Sequence, residues 1–141
     1  MEKPVVLKKL EAFSKELLGV PFVHMGRNKN GMDCFGLIIA WLFVLGKSYR
    51  DHGYDFDWAK KGENHFSELD DLPDLFVRIA TPLPGSVVLI NGGFDVPSHA
   101  GIVLPQKKML HALEKIGVAI TPLSRYQHTI YGYYGIKGIH G

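Results

Sequence analysis

The feature of this sequence that most constrains its fold is a change of residue pattern near Pro84. Before it, apolar residues recur at helical spacing, and after it, short apolar runs are separated by turn residues. We predict five strands, at residues 85–90, 100–104, 108–112, 117–120 and 130–136. Their short connections predict an antiparallel meander. Helices that precede the strands, rather than alternate with them, indicate an α+β fold.

Two helices are predicted in the first half of the chain. The first has an apolar stripe and a glycine, Gly19, as its C-terminal cap; the stripe is formed by Leu7, Leu10, Phe13, Leu17 and Leu18. The second runs from about Cys34 to Leu45 and is apolar on nearly every side, so we expect it to be central. Residues 20–32 are predicted to be a loop, and residues 47–80 a loop with one or two short helices.

Length and composition favour one globular domain over residues 1–141. A net charge of +2 without a basic run gives no indication of a nucleic-acid partner. The most apolar segment, 35–45, is about half as long as the roughly 20 residues of a membrane span. The N-terminal residues do not resemble a secretory signal, and one cysteine cannot form an internal disulfide. We therefore expect a protein made in the cytoplasm, with no membrane span.

The single cysteine, Cys34, lies where a loop changes into the second predicted helix, directly after Asp33. Amide dipoles at a helix N-terminus favour a thiolate, so we expect an acidic thiol that reacts rapidly. Asp33 is expected to cap the helix in preference to acting in catalysis, and it is also a candidate, with Phe22 and His24, for contact with the substrate or the oxyanion. The position suits a nucleophile, although a cysteine at the start of a buried helix is more commonly inert.

Two histidines in predicted strands, His99 and His111, could complete the chemistry. A cysteine, a base and a group that orients the base are the minimum for covalent acyl transfer. The same three side chains could instead hold zinc with one open position. No Cys-x-x-Cys or His-Glu-x-x-His motif supports that alternative, so we expect neither a metal nor another cofactor.

The order of motifs resembles the NlpC/P60 family of papain-like cysteine peptidases over roughly residues 5 to 137. The matching motifs are Pro21-Phe22-Val23-His24-Met25-Gly26, Gly31-Met32-Asp33-Cys34-Phe35-Gly36-Leu37, Pro84-Gly85-Ser86-Val87-Val88-Leu89-Ile90, His99-Ala100-Gly101-Ile102-Val103-Leu104 and His111-Ala112. The resemblance implies helices packed on an antiparallel sheet of about five strands. It also implies that Cys34 is the nucleophile, His99 the general base and His111 the orienting residue. Family members commonly cut bacterial cell-wall stem peptides.

The sequence departs from the family pattern beside the nucleophile. Many members have a tyrosine twelve residues before the cysteine, where this chain has Phe22. The missing hydroxyl removes one candidate donor to the oxyanion, and His24 is a nearby substitute. Phe35 also replaces the usual serine after the cysteine, and Ser86 the usual aspartate of the strand opening.

Three functions stay open at the level of sequence. The first is a cysteine peptidase that acts on stem peptides. The second is a weak or inactive structural protein of a phage tail tip that binds peptidoglycan or neighbouring tail proteins, because the Pro-Phe-x-His-x-Gly-Arg motif resembles phage tail variants of the family. The third is an amidase or acyltransferase with another substrate. Phe22 favours the second function, whereas Cys34, His99 and His111 favour the first.

Overall fold

The computed structural model describes residues 1–141 and contains two helices on a six-stranded sheet. The helices are α1 (Lys3–Leu17) and α2 (Cys34–Val44). The strands of a small hairpin are β1 (Arg27–Asn28) and β2 (Gly31–Met32), and those of the main sheet are β3 (Phe76–Ile79), β4 (Val87–Ile90), β5 (His99–Leu104), β6 (Lys108–Leu113), β7 (Gly117–Pro122) and β8 (Ile130–Ile136). Two short 3₁₀ helices cover Phe66–Asp71 and Leu123–Tyr126. The predicted α+β class is confirmed.

The main sheet is antiparallel throughout, in the order β3-β8-β4-β5-β6-β7. The predicted meander holds from β4 to β7. It fails for β8, which returns across the sheet to pair with β4. The prediction of about five strands is corrected to six, because β3 lies in the segment that was expected to contain only loop and short helices. The β1–β2 hairpin also replaces part of the predicted 20–32 loop.

Both edges of the sheet are short or partly covered. At β7, the Gly19 amide donates to the Val118 carbonyl at 2.9 Å, and the Val118 amide donates to the Val20 carbonyl at 2.8 Å. Gly19 has a φ of 87° and follows the end of α1, as its predicted capping role requires. At the opposite edge, β3 is only four residues long and includes the partly exposed Arg78.

The two helices pack on one face of the sheet. In α1 the buried stripe is Val6, Leu10, Phe13 and Leu17, so the predicted stripe is shifted and Leu18 is exposed. The indole N–H of Trp41 in α2 donates to the Gly85 carbonyl at 2.8 Å. The opposite face of the sheet is covered by the second 3₁₀ helix, through Leu123. None of the helices is both long and apolar enough to cross a membrane.

Phe35 joins α2 to the segment 47–72. Its ring stacks on Phe66 with centroids 4.3 Å apart and also contacts Tyr54 and Trp58. Only 2% of Phe35 is exposed. The aromatic side chain that directly follows Cys34 therefore anchors this segment beside the start of α2.

We predict that Phe35→Ala lowers the free energy of unfolding by about 3 kcal/mol, because it leaves a cavity against Phe66. Urea denaturation measures the loss. Phe43→Ala is the matched control in the same helix, since Phe43 is 80% exposed and its truncation should cost under about 0.5 kcal/mol. Equal losses for the two variants would show that Phe35 is not an anchor.

Candidate active site

Cys34 is the first residue of α2, and Asp33 is its N-cap. One Asp33 carboxylate oxygen accepts a hydrogen bond from the Gly36 amide at 2.9 Å, which confirms the predicted capping role. Gly36 must lack a side chain, because a Cβ there would lie 2.2 Å from the Gly26 carbonyl oxygen. The chain before the hairpin therefore packs closely against the first turn of α2, which begins at Cys34.

His99 and His111 meet across the β5–β6 ladder. His99 Nε2 lies 2.8 Å from His111 Nδ1, and His111 Nε2 lies 2.9 Å from Thr121 Oγ1. Gly101 is directly opposite His111, and an ideal Cβ on Gly101 would lie 3.3 Å from the His111 Cβ. The glycine leaves space for the two rings to approach each other. The result is a hydrogen-bonded chain from His99 through His111 to Thr121.

The hydrogen-bonded chain determines which nitrogen of His99 is available. Because Nε2 faces His111, Nδ1 is the ring nitrogen left for a reacting group. His111 is fully buried and is held on both sides. One consistent set of tautomers has His99 Nε2–H donating to His111, and His111 Nε2–H donating to Thr121. In that arrangement His99 Nδ1 is a free base.

Cys34 and His99 line one cleft of about 420 Å³. Phe22 and His24 belong to the same cleft wall, and His24 packs edge-to-face on Tyr54 and Phe56. Other walls come from the 54–60 segment, the β4–β5 connection and the β6–β7 turn. His111 does not line the cleft. It lies behind His99, as an orienting residue would.

The Cys34 thiol and the His99 imidazole are both uncharged at neutral pH. Burial, and then the charge of Asp33, raise the pKa of the Cys34 thiol to about 12, although the amides of Ala100, Cys34 and Phe35 act in the opposite direction. Burial lowers the pKa of His99 to about 4. The expectation of an acidic thiol at the helix start is therefore wrong for the free protein. Desolvation outweighs the helix amides here.

Sequence reasoning missed several residues that surround the site. Arg27 and Tyr54 both contact the Asp33 carboxylate, and Thr121 holds the far side of His111. Tyr126, from the second 3₁₀ helix, packs edge-on against the His111 ring. The only available signal was for Arg27, which belongs to the Pro-Phe-x-His-x-Gly-Arg motif. The others depend on strand register or on the path of the 47–65 segment.

Known proteins share sequence and fold with this chain. The NlpC/P60 family model matches residues 19–133. The chain belongs to the NlpC/P60 family. This NlpC/P60 chain is 29% identical over 94 residues to the tail tip assembly protein K of Escherichia phage lambda. The match covers 65% of the chain and 47% of the phage protein, so the chain spans about half the length of that relative.

Solved structures share the fold of this NlpC/P60 chain. An NLP/P60 lipoprotein-like protein of Staphylococcus aureus superposes with a TM-score of 0.67 and 20% identity, over 100% of this chain and 43% of that one. The NlpC/p60 domain of the peptidoglycan hydrolase SagA superposes with a TM-score of 0.57 and 17% identity, over 95% of this chain and 97% of that domain. An NlpC/P60 family protein of Bacillus cereus superposes with a TM-score of 0.64 and 19% identity, over 90% of this chain and 39% of that one.

We predict that Cys34 in the native protein reacts with iodoacetamide at pH 7 at least about 100-fold more slowly than in the urea-unfolded chain. The folded thiol, with a pKa of about 12, supplies far less thiolate than an unfolded cysteine with a pKa near 8.5. Mass spectrometry measures the rates, and the single cysteine makes them unambiguous. A native rate equal to or above the unfolded rate would contradict the neutral resting site.

A second prediction concerns stability in acid. Burial, with the charges of His99 and Arg125, lowers the pKa of His111 to about 3, well below the 6.5 of an ordinary histidine. Between pH 3 and pH 6.5, His111 therefore binds a proton in the unfolded chain but not in the folded chain. Stability present above pH 6.5 should be lost as the pH falls toward 4, by about 1.4 kcal/mol per pH unit for each such histidine.

Urea denaturation across pH 4 to 8 tests the effect, with His111→Gln as the comparison. Gln can still form hydrogen bonds but cannot titrate. Below pH 6.5, the slope of the free energy of unfolding against pH should therefore be smaller in the variant by the contribution of one proton, about 1.4 kcal/mol per pH unit. The difference in slope should vanish above pH 7.5. Parallel curves for wild type and variant throughout would show that His111 is protonated in the folded state.

Proposed function

We propose that this chain is a single hydrolase domain, a cysteine peptidase that cuts amide bonds in bacterial cell-wall stem peptides. The observation that carries the proposal is the 2.8 Å contact between His99 Nε2 and His111 Nδ1, beside a cleft that also holds Cys34. It supports a base that is held in one orientation with its other nitrogen free. The family membership and the fold shared with a peptidoglycan hydrolase support the substrate class.

In the proposed mechanism, the Cys34 sulfur attacks the amide carbon while its proton passes to His99 Nδ1. The carbon–nitrogen bond then breaks, and His99 returns the proton to the leaving amine. A thioester remains on Cys34. Water attacks the thioester, again with His99 as the base, and the new carboxyl group leaves with the thiol restored. His111, held by Thr121, keeps the His99 ring in orientation and stabilises its charged form.

The neutral resting pair is compatible with this mechanism. Because the pKa of His99 is about 4, the imidazole is unprotonated and able to act as a base at neutral pH. The thiol then loses its proton during the attack instead of beforehand. A bound substrate displaces water from the cleft, which strengthens the interaction of a developing imidazolium with its neighbours.

The oxyanion would be stabilised by fewer donors than in family members with a tyrosine. The backbone amide of Cys34 is one donor, and His24 on the same cleft wall is the candidate for a second. Phe22 is half-buried beside Met32 and has no polar atom to offer. Asp33 is buried and serves as the helix cap. A weakened peptidase is therefore expected.

A tail-tip role is a second candidate, favoured by Phe22 and by the similarity to the lambda tail tip assembly protein K. In that role the cleft would bind peptidoglycan, and other surfaces would contact tail proteins. An assembled virion would then carry the domain to the cell wall. The two roles are compatible if the domain cuts stem peptides from within the tail. Acyl transfer to an acceptor other than water would use the same three residues.

One set of variants separates these functions. With purified peptidoglycan as substrate, wild type should release new amino groups, Cys34→Ala should release none, and Phe22→Tyr should raise kcat/KM by about tenfold or more. Phe94→Tyr is the matched control, because it adds a hydroxyl to the same cleft from another wall. It should leave kcat/KM unchanged within about twofold.

The outcomes distinguish the three functions. If neither wild type nor Phe22→Tyr releases amino groups from peptidoglycan, the peptidase function is rejected and the binding role is left. Consumption of an added amine acceptor, without net hydrolysis, would indicate acyl transfer. Equal gains from Phe22→Tyr and Phe94→Tyr would contradict the assignment of position 22 to the oxyanion.

A further inference from the structure

The Asp33 carboxylate is fully engaged by the protein. It accepts hydrogen bonds from the Gly36 amide at 2.9 Å, the Met25 amide at 2.9 Å, Arg27 Nη1 at 2.8 Å and the Tyr54 hydroxyl. Asp33 is only 3% exposed. A carboxylate that accepts from four donors is held in a fixed position. It therefore presents a fixed negative charge one residue from the nucleophile.

Arg27 is the cation that faces this charge. Its Nη1 contacts Asp33, whereas Nε and Nη2 contact the two oxygens of Asp51 at 2.9 and 3.1 Å. Nη2 also donates to the Tyr54 hydroxyl at 2.9 Å, and that hydroxyl in turn donates to Asp33. The guanidinium thus bridges the hairpin, the start of α2 and the 47–65 segment. Asp51 and Tyr54 fix its orientation.

The charge of Asp33 opposes formation of the Cys34 thiolate, and it is the second cause, after burial, of the raised pKa of that thiol. Arg27 Nη1 lies 2.8 Å from this carboxylate, and the guanidinium offsets its charge. Without the guanidinium, the full negative charge would act on the sulfur in a site that excludes water. Such a charge, when unpaired, has a large effect because the local dielectric constant is low.

We propose that Arg27 and Tyr54 are positioning residues for the nucleophile: they hold Asp33 as the cap of α2, and Arg27 offsets the Asp33 charge so that Cys34 can give up its proton to His99. The proposal rests on the proposed function only in that Cys34 is the nucleophile. It adds residues from outside the sequence motif of the cysteine. It also gives the 47–65 segment a role in the chemistry.

Other charged or titratable groups face Cys34 across the cleft. They are His99 on β5 and the cleft-lining residues His24, Asp57, Lys60 and Glu114. All of them are retained in the variants proposed below. A change in thiol reactivity among those variants therefore reports on the hydrogen-bonded cluster of Arg27, Tyr54, Asp33 and Asp51.

The test is the rate of alkylation of native Cys34 by iodoacetamide, an uncharged reagent, between pH 7 and 10. Arg27→Gln should lower the rate constant by about tenfold, equivalent to a rise of about one unit in the thiol pKa. Arg27→Lys keeps the charge and should recover part of the rate. Tyr54→Phe should lower the rate by a smaller factor. Lys29→Gln, in the same hairpin but paired with Glu16, is the control and should change nothing.

Asp33→Asn decides between an electrostatic and a merely structural role. Asparagine still caps a helix, and it removes the negative charge beside Cys34 while Arg27 keeps its ion pair with Asp51, so the rate should rise by about tenfold. In the double variant Arg27→Gln with Asp33→Asn, the rate should return close to that of wild type. If the role is only structural, both single variants should lower the rate, and the double variant should be slower than either.

Several results would overturn the proposal. The first is an alkylation rate for Arg27→Gln equal to that for Lys29→Gln. The second is a double variant that reacts as slowly as Arg27→Gln alone, and the third is a lower alkylation rate in Asp33→Asn than in wild type. If Arg27→Gln fails to fold, as judged by circular dichroism, the direction of change in Asp33→Asn decides. The assay needs no peptide substrate. An inactive protein with these shifts would reject the peptidase but retain the positioning role.

Discussion

The close contact between Gly36 and the Gly26 carbonyl is the constraint on which the site depends. It allows the hairpin to lie directly against the first turn of α2, where any side chain would collide with the backbone. Asp33 then reaches the Met25 amide and Arg27 on the hairpin as well as its own helix. Without this approach, the Arg27 guanidinium would not reach Asp33 at the start of α2, beside Cys34.

Burial has opposing effects on the chemistry of this site. It holds His111 neutral between His99 and Thr121, which gives the base a defined orientation. The same desolvation makes a resting thiolate unfavourable at Cys34. The helix N-terminus and the nearby amides reduce that cost but do not cancel it. Charge compensation around Asp33 therefore matters more than it would in an open cleft.

Much of the fold could be predicted from the sequence, because local patterns specify it. Helix α2 begins at Cys34 as predicted, Gly19 follows the end of α1, and β4 to β7 form the expected meander. Strand β3 was missed since it lies in a segment without clear periodicity. The return of β8 to the side of β4 is a property of topology, and no local pattern specifies it. Cys34, His99 and His111 are predicted site residues because their motifs resemble those of a family. Tyr54 and Thr121 were not, because their roles arise from long-range packing and strand register.

The two backbone hydrogen bonds that join Val118 to Gly19 and Val20 also affect how the sheet can interact with other chains. An exposed edge strand is a template on which another chain can add a strand, and such additions lead to aggregation. Here the loop after α1 occupies part of the β7 edge, and β3 offers only four residues, one of them the charged Arg78. Edge-to-edge growth of the sheet is therefore disfavoured at both ends, even where many copies are held close together.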